Sequence, residues 1–503
     1  MADAVVRVQS NRAVITLGGG EIVGFQAAQA AAPFADRAEA ALAQIEEIAS
    51  GAPDAPSVFA KADRNANLSD LTDPAAARFN IGADLSQNVN FNLGAVGAVS
   101  RTLAQRAAER VSVKDFGAAG DNETDDTAAI NAAIVWCNTQ VFPVDLHFPR
   151  GFYRITAALA PITGPTRFMG CGPRNSVLNF FGGSYDCLSY IGAGSGARCA
   201  NGGMEDMGVF CGGMSGGITI KLDYTKSLVF RNILCDQPWN FVSMQQASDT
   251  LFDYIDSQPI RGSYGIRWFS SNGARKGESV DKSDILILRD VLLHGTNATG
   301  TGATAEGVVM DGWVHSLSIQ NVKLLALARG LRASNSSGAA RDPSFINGSG
   351  LEIENSYLEN VKFDAVNGVW VNGIFAVGST SEAGMVFGPN ARQIHLHGGR
   401  IQGNWKSGLD TEADVVSLTG MAVFQNSQFA SDALPGIRIL GGDTVQIIGG
   451  LSGNNAGEGA YTEKQKFGIW NVGGLKVSAV GVDLTGNVSG GLSGTISATA
   501  CFT

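Results

Sequence analysis

Glu352 and Glu354 stand two residues apart in Leu351-Glu352-Ile353-Glu354, and Glu359 follows just beyond a bend. Two residues of extended chain set Cα atoms roughly 6–7 Å apart, at ~3.3 Å of rise per residue. Acid–base or nucleophilic cleavage of a glycosidic bond asks for two carboxyl groups roughly 5–10 Å apart. Repulsion within a close pair raises one pKa, as the acid requires. The same charges would equally suit a solvated strand face that discourages edge pairing. Asp249, Asp253 and Asp256 form a second acidic cluster, and Asp410, Glu412 and Asp414 a third near a turn. His395 and His397 would bind a metal, protonate a substrate or simply decorate a surface. Arg289 and Arg332 would stabilise the anion left when a base takes the proton beside a uronate carboxylate.

Trp268, Trp313, Trp370, Trp405 and Trp470 offer flat rings. Such rings stack on sugar faces, fill a core or line a subunit interface. The chain has no Gly-x-Ser-x-Gly, no His-Glu-x-x-His and no phosphate loop. No cofactor and no metal are expected.

These residues sit in a repeating stretch from about Gly217 to Asn487: Gly, an apolar alternation, a gap, a second alternation, then Gly or Asn. The second alternations align as Leu286-x-Leu288, Leu317-x-Ile319, Leu351-x-Ile353, Ile394-x-Leu396, Val416-x-Leu418, Val445-x-Ile447 and Leu475-x-Val477. Strand-period alternation returning every few tens of residues, with Gly or Asn at the bends, predicts a parallel β-helix. Each coil hides its apolar face only against the next. The residues between the inward ones then face solvent. One outer column is expected to gather Ile287, Arg289, Ser318, Gln320, Glu352, Glu354, His395, His397, Ser417 and Thr419. The first alternation is expected to turn out Arg267, Arg332, Trp370, Asp410, Arg438 and Trp470. The stretch 270–284 reads as an insertion beside the Asp249 cluster, and insertions are where solenoids build sites.

Composition agrees with a folded, Gly-bent solenoid: 65 Gly, 14 Pro, 16% charged and 44% hydrophobic residues in 503. A net charge of −10 argues against nucleic acid, which needs clustered Lys and Arg. No apolar run reaches the roughly 20 residues of a membrane span. The seven Cys have no metal-like spacing and read as reduced thiols, mostly buried. The start, Met1-Ala2-Asp3-Ala4, lacks the basic and apolar regions of a secretory signal.

Ahead of the repeat, residues 5–17 read as two short strands, and the Ala-rich run from Pro33 as a helix with Phe34, Ala38, Ala41, Ile45 and Ile48 on one seam. A small helix is expected over 73–82, opened by Pro74, and another over 100–110. Then Val111-Ser112-Val113-Lys114-Asp115-Phe116-Gly117 leads through a Gly-rich turn and the acidic run Asp121 to Asp126 into a helix carrying Ile130 and Ile134. Asp125 or Thr124 is placed to cap that helix. Two strands around Phe148-Pro149-Arg150-Gly151-Phe152-Tyr153 follow.

This passage, residues 111–155, closely resembles the opening module of the pectate-lyase-like superfamily as found in phage tailspikes. The resemblance implies an all-β fold, a right-handed single-stranded parallel β-helix, with a small α/β N-terminal region and a short helical linker. It divides the chain into a virion-attachment region (1–60), a linker (61–110), an opening module (111–200), the β-helix (201–490) and a C-terminal tail (491–503). It further implies a homotrimer bound through its N-terminal region to tail, baseplate or portal proteins. Such a protein is made in the host cytoplasm, is carried on the virion and inserts in no membrane. The implied function is recognition and cleavage of a bacterial surface polysaccharide during host adsorption. The alternative is a receptor-binding or structural tail fibre using the same surface without cleavage. Cleavage would rest on Glu352, Glu354, Glu359, Asp253 and Asp256, and sugar binding on Trp370, His395, His397, Arg289 and Arg332. So short a tail leaves trimerisation to the solenoid faces or to a partner protein.

Overall fold

The computed structural model describes residues 90–503, except 93–94, 108, 271–282, 297–302, 337, 340, 430–432 and 454–463, and the backbone of three strands near the N-terminus. Those strands, Val5–Gln9, Arg12–Leu17 and Gly20–Val23, form an antiparallel sheet, one strand more than the expected pair. The helices expected over 33–48 and 73–82 lie outside the described residues. Within the same unit, Asn90–Phe91 pairs antiparallel with Arg101–Thr102; the helix expected over 100–110 spans Leu103–Ala107, across the boundary of the two units.

From Ala107 onward the chain is one compact unit. Its ladder is parallel from Val111 to Thr499, as a right-handed parallel β-helix requires. Each central coil has three short faces. In the coil from Val361 to Val377, residues 361–363 form the first face, 369–372 the second and 374–377 the third. One inward column of the second face runs Phe168, Met204, Phe230, Phe252, Leu288, Ile319, Gly348, Val371, Leu396, Leu418, Ile447 and Ala479. Phe230 and Phe252 stack within it at 4.9 Å and 12°. Burying each such side chain contributes about 1.5–3 kcal/mol, but only if the next coil covers it.

The corner between the second and third faces needs one left-handed residue per coil. Asp206, Asn232, Tyr254, Asp290, Asn321, Gly350, Gly373, Gly398, Gly420, Gly449 and Gly481 fill it, with φ between 51° and 68°. Gly or Asn tolerates this region best, which explains the Gly-marked period of the sequence. On the way from the third face back to the first, buried amides bond from coil to coil. Asn360 donates to Asn404 (3.0 Å), Asn404 to Asn426 (2.8 Å), Asn426 to Gln465 (2.8 Å) and Gln465 to Asn487 (3.1 Å). Each amide can donate and accept at once, so a ladder satisfies groups that are costly to bury alone.

The true register corrects the sequence alignment at two coils. Leu317 is followed by Ile346, Val369 and Ile394, so Leu351 and Ile353 belong to the third face, beside Val322 and Leu324. The coil at 346–349 reads Ile-Asn-Gly-Ser and hides its alternation, because Gly348 fills an inward slot. A Cβ there would stand 1.9 Å from the Ile319 carbonyl oxygen, so no larger residue fits. Glu352 and Glu354 therefore share no column with His395 and His397. The second-face rung after Val445 is likewise Val477 and Ala479, leaving Leu475 exposed. Trp370 also moves. The first-face column runs Arg267, Val309, Arg332, Lys362, Val386, Asp410, Arg438 and Trp470, and Trp370 lies on the second face.

At the opening, helix Thr127–Asn138 buries Ile130, Ala133, Ile134 and Cys137. The acidic run before it is spent on backbone. Asp126 accepts from the Ala119 and Gly120 amides at 2.6 and 3.0 Å, Asp125 from Thr127 N at 3.0 Å, and Asp121 from the Glu123 and Thr124 amides. The Thr124 and Glu123 amides hold Asp121 below the usual carboxylate range, and the Thr127 and Thr156 hydroxyls foremost do the same for Asp125. At the other end, 490–493 and 497–499 add a further rung to the solenoid. No described helix is long and apolar enough to cross a membrane.

Candidate functional site

The acidic clusters fare differently once the neighbouring coils are in place. Asp253 faces outward on the second face, with Arg231 directly beside it on one coil and Arg289 on the next. Arg289 donates to it at 2.7 and 2.5 Å and Arg231 at 3.0 Å, leaving its side chain only 2% exposed. The hydrogen bonds from Arg289 lead the causes that lower its pKa, so it stays ionised. Asp256 lies past the corner at Tyr254, on the third face, and burial raises it despite a hydrogen bond from Gln258 at 2.8 Å. Burial also raises Asp236 on the preceding coil, which repels Asp256 in turn. Asp249 makes only a long contact, 3.9 Å, with Lys226. In the third acidic trio, Asp410 is taken by Arg438 and Ser407, and Asp414 by Arg392 at 3.6 Å.

Glu352 and Glu354 end strand Ser344–Glu354. Glu352 pairs at 2.6 Å with Lys323, its register partner on the preceding coil, whereas its partner on the next coil is Phe375. Glu354 stands between Leu325 and Val377 and has no basic register partner. Burial first, then the Glu352 charge and a hydrogen bond shared with it, push Glu354 above the usual range. One carboxyl is thus ion-paired while its neighbour's pKa is raised, and their shared hydrogen bond holds the two closer than the roughly 5–10 Å that separates an acid from a base or nucleophile. Glu359 does not join them. It turns to Arg329 at 2.7 Å and Lys362 at 3.3 Å, where Arg329 foremost offsets burial and holds it low. Arg332 belongs to that network too, 3.4 Å from Glu306 and from Asp364. Of the five expected acids, Glu352 and Glu354 are brought together, and Asp253, Asp256 and Glu359 are each placed elsewhere.

Strand Ser344–Glu354 also begins at an aromatic ladder. Phe345, Trp370 and His395 stack from coil to coil on the outer face, 5.9 Å and 14° apart, then 5.7 Å and 8°. The His315 ring meets Phe345 edge-on at 4.8 Å. Phe345 is 42% and Trp370 38% exposed, so the stack is open to solvent. Gly368 is what lets Trp370 lie flat, since it adopts φ +91° and a Cβ would come within 2.6 Å of the ring. Next to the ladder is a groove of about 340 Å³ lined by Trp313, His315, Arg341, Phe345 and Arg392. His397 lies two residues along from His395, between Asn372 and Thr419. Trp268, by contrast, is wholly buried. No group of three or more His, Cys, Asp or Glu among the described residues is arranged to hold a metal ion.

The alternation pattern could not reveal Phe345, which has a left-handed backbone (φ 59°) at the start of strand Ser344–Glu354 and so breaks the alternation. Lys323 was equally hidden, because its meaning depends on which coil stacks beside it.

Residues 110–325 match the family model described as rhamnogalacturonase A/epimerase, pectate lyase-like. The resemblance read from residues 111–155 is thereby borne out over that span. A curated relative, the non-secreted LysM effector LysM19 of Penicillium expansum, is 42% identical over 67 residues, which is 12% of this chain and 5% of the relative. Among solved structures, tailspike protein 3 of bacteriophage CBA120 superposes with a TM-score of 0.55 at 13% identity, over 99% of this chain and 76% of that one. The A-module of the mannuronan C-5 epimerase AlgE6 of Azotobacter vinelandii gives a TM-score of 0.45 at 14% identity, over 78% of this chain and 98% of that one. The expected fold class, a parallel β-helix of the kind found in tailspikes, agrees with the likeness to tailspike protein 3.

Proposed function

We propose that this chain is a phage tailspike whose β-helix recognises and cleaves a bacterial surface polysaccharide (capsule, exopolysaccharide or O-antigen) during host adsorption. The observation that carries the reading is the strand Ser344–Glu354, which bears Phe345 of the open aromatic ladder at one end and the Glu352–Glu354 pair at the other. Aromatic faces hold sugar rings by apolar contact that hydroxyl-rich edges cannot supply. Bound substrate parts the hydrogen bond between the two carboxyls; Glu354, whose pKa is raised, then donates to the glycosidic oxygen, and Glu352, paired with Lys323, acts as base or nucleophile. Trp370, His395 and His397 contact the sugar. The pectate-lyase-like segment and the tailspike-like fold support the substrate class. In this reading three copies assemble as a homotrimer, made in the host cytoplasm and fixed to tail, baseplate or portal proteins by the N-terminal region.

The test is incubation with polysaccharide purified from a strain that the phage infects. New reducing ends are expected from hydrolysis, and absorbance of an unsaturated uronate would mark elimination instead. Glu352→Gln is expected to remove the products and leave assembly intact. Retained binding with no product from the wild-type chain would replace cleavage by receptor binding alone.

A further inference from the structure

Beside the ladder, Asn335, Ser336, Ala339 and Asp342 are tied down by side-chain hydrogen bonds. The Asp311 carboxylate accepts from Ser336 N at 2.7 Å and from Ser336 Oγ at 2.6 Å. Asn335 accepts from the Ala339 amide at 2.8 Å and donates to the Ala339 carbonyl at 2.9 Å and to Asp342 at 3.0 Å. The product of this bracing is Arg341, held with its guanidinium 5.3 Å from the Trp313 ring centroid, while Trp313 itself packs on Ala339. Among the described residues no carboxylate forms an ion pair with Arg341. Asp342, which also lines the groove, is occupied by Asn335. On the same groove Arg392 has only a long, 3.6 Å contact with Asp414. Two guanidiniums thus converge on an aromatic-walled groove in a chain whose net charge is −10.

The contact with the Trp313 ring holds Arg341 on the groove, and a guanidinium presents an N–H edge that meets a planar anion. A carboxylate suits that edge because two parallel N–H···O bonds form at once. We propose that the groove binds an acidic sugar residue, one bearing a carboxylate such as a uronate, with Arg341 and Arg392 on the carboxylate and Phe345 and Trp370 under the neighbouring ring. This rests on the polysaccharide reading above and narrows it to anionic glycans.

The experiment uses the full chain and the host's surface polysaccharide in three forms: native, carboxyl-reduced and dephosphorylated. Native material is expected to bind about tenfold more tightly than the carboxyl-reduced form, with dephosphorylation having no effect. Arg341→Gln, on an exposed turn, is expected to lower affinity for the native form about tenfold and leave the reduced form and the thermal midpoint unchanged. Arg392→Gln is the second variant and should act in the same direction. Equal binding of native and reduced forms, unaltered by Arg341→Gln, overturns the acidic-sugar proposal and leaves glycan recognition standing. Loss of binding on dephosphorylation alone overturns it in favour of a phosphate-bearing glycan. Binding to intact cells but to no form of the polysaccharide overturns both readings.

Discussion

Asp253 and Glu352 are both outward carboxylates on alternating apolar strands, and each is flanked in register by a residue of the coil before and the coil after. For Asp253 those flanks are Arg231 and Arg289. For Glu352 they are Lys323 and Phe375, and its neighbour Glu354 has Leu325 and Val377. Two cations flank the carboxyl in the first region, Arg231 being shared at 3.7 Å with Glu205 of the coil before, and one cation flanks two carboxyls in the second. The first arrangement is a clamp that keeps its acid ionised. The second leaves a surplus carboxyl, whose pKa burial and the Glu352 charge raise. Chemistry in a solenoid is thus set across coils, by stoichiometry of charge, and not by the acidic motif on one strand.

The largest effect expected from this contrast is a crossed pair of phenotypes. Glu354→Gln should reduce polysaccharide cleavage at least about a hundredfold, the scale of general acid catalysis, with an unchanged thermal midpoint. Asp253→Asn should keep turnover and cost about 2 kcal/mol of stability, the scale of lost hydrogen bonds to charged partners, read as a lowered midpoint. Full activity in the first variant or lost activity in the second would break the comparison.

A subtler effect comes from importing the clamp. Phe375→Lys puts a second cation beside Glu352, so the surplus is cancelled and the pKa of Glu354 falls. The acid works only while protonated, so the alkaline limb of the pH–rate profile should move to lower pH. A limb that stays put would assign the acid elsewhere. The signs for stability are opposite at the two sites. The contribution of Glu354, whose pKa is raised, is present at low pH and is lost as pH rises through that value. The contribution of Asp253, whose pKa is lowered, is present near neutrality and is lost as pH falls through that value. Titrating the midpoint of each variant against wild type from acid to neutral pH separates them.

The smallest effect belongs to the ladder. Gly368→Ala places a methyl within 2.6 Å of Trp370 and should tilt the ring out of its stack. Glycan affinity is expected to fall severalfold, the scale of an aromatic contact, with turnover of bound substrate retained. Unchanged affinity would take Trp370 out of the binding surface.

Much of the fold could be read from local rules. Alternation at Ile394-x-Leu396 or Val416-x-Leu418 needs only the two-residue period of a strand, and the recurring Gly marks where φ must turn positive. The reading failed at 346–349, where Gly348 serves a close approach of two backbones and so imitates a loop. That single slip moved Glu352 and Glu354 onto the wrong face. The pairing of Glu352 with Glu354 survived it, because two residues on one strand stay neighbours whichever face they occupy. Glu359 did not stay with them, because a bend stands between and Arg329 lies across it.

By itself, then, the sequence determined a Gly-cornered solenoid, its inward alternation and the adjacency of acids within a strand, since all of these are set by backbone geometry over a few residues. Only the tertiary structure decided which acid has its pKa raised and which lowered, which arginine is engaged and which rings stack, since each depends on the register between coils some 20–30 residues apart.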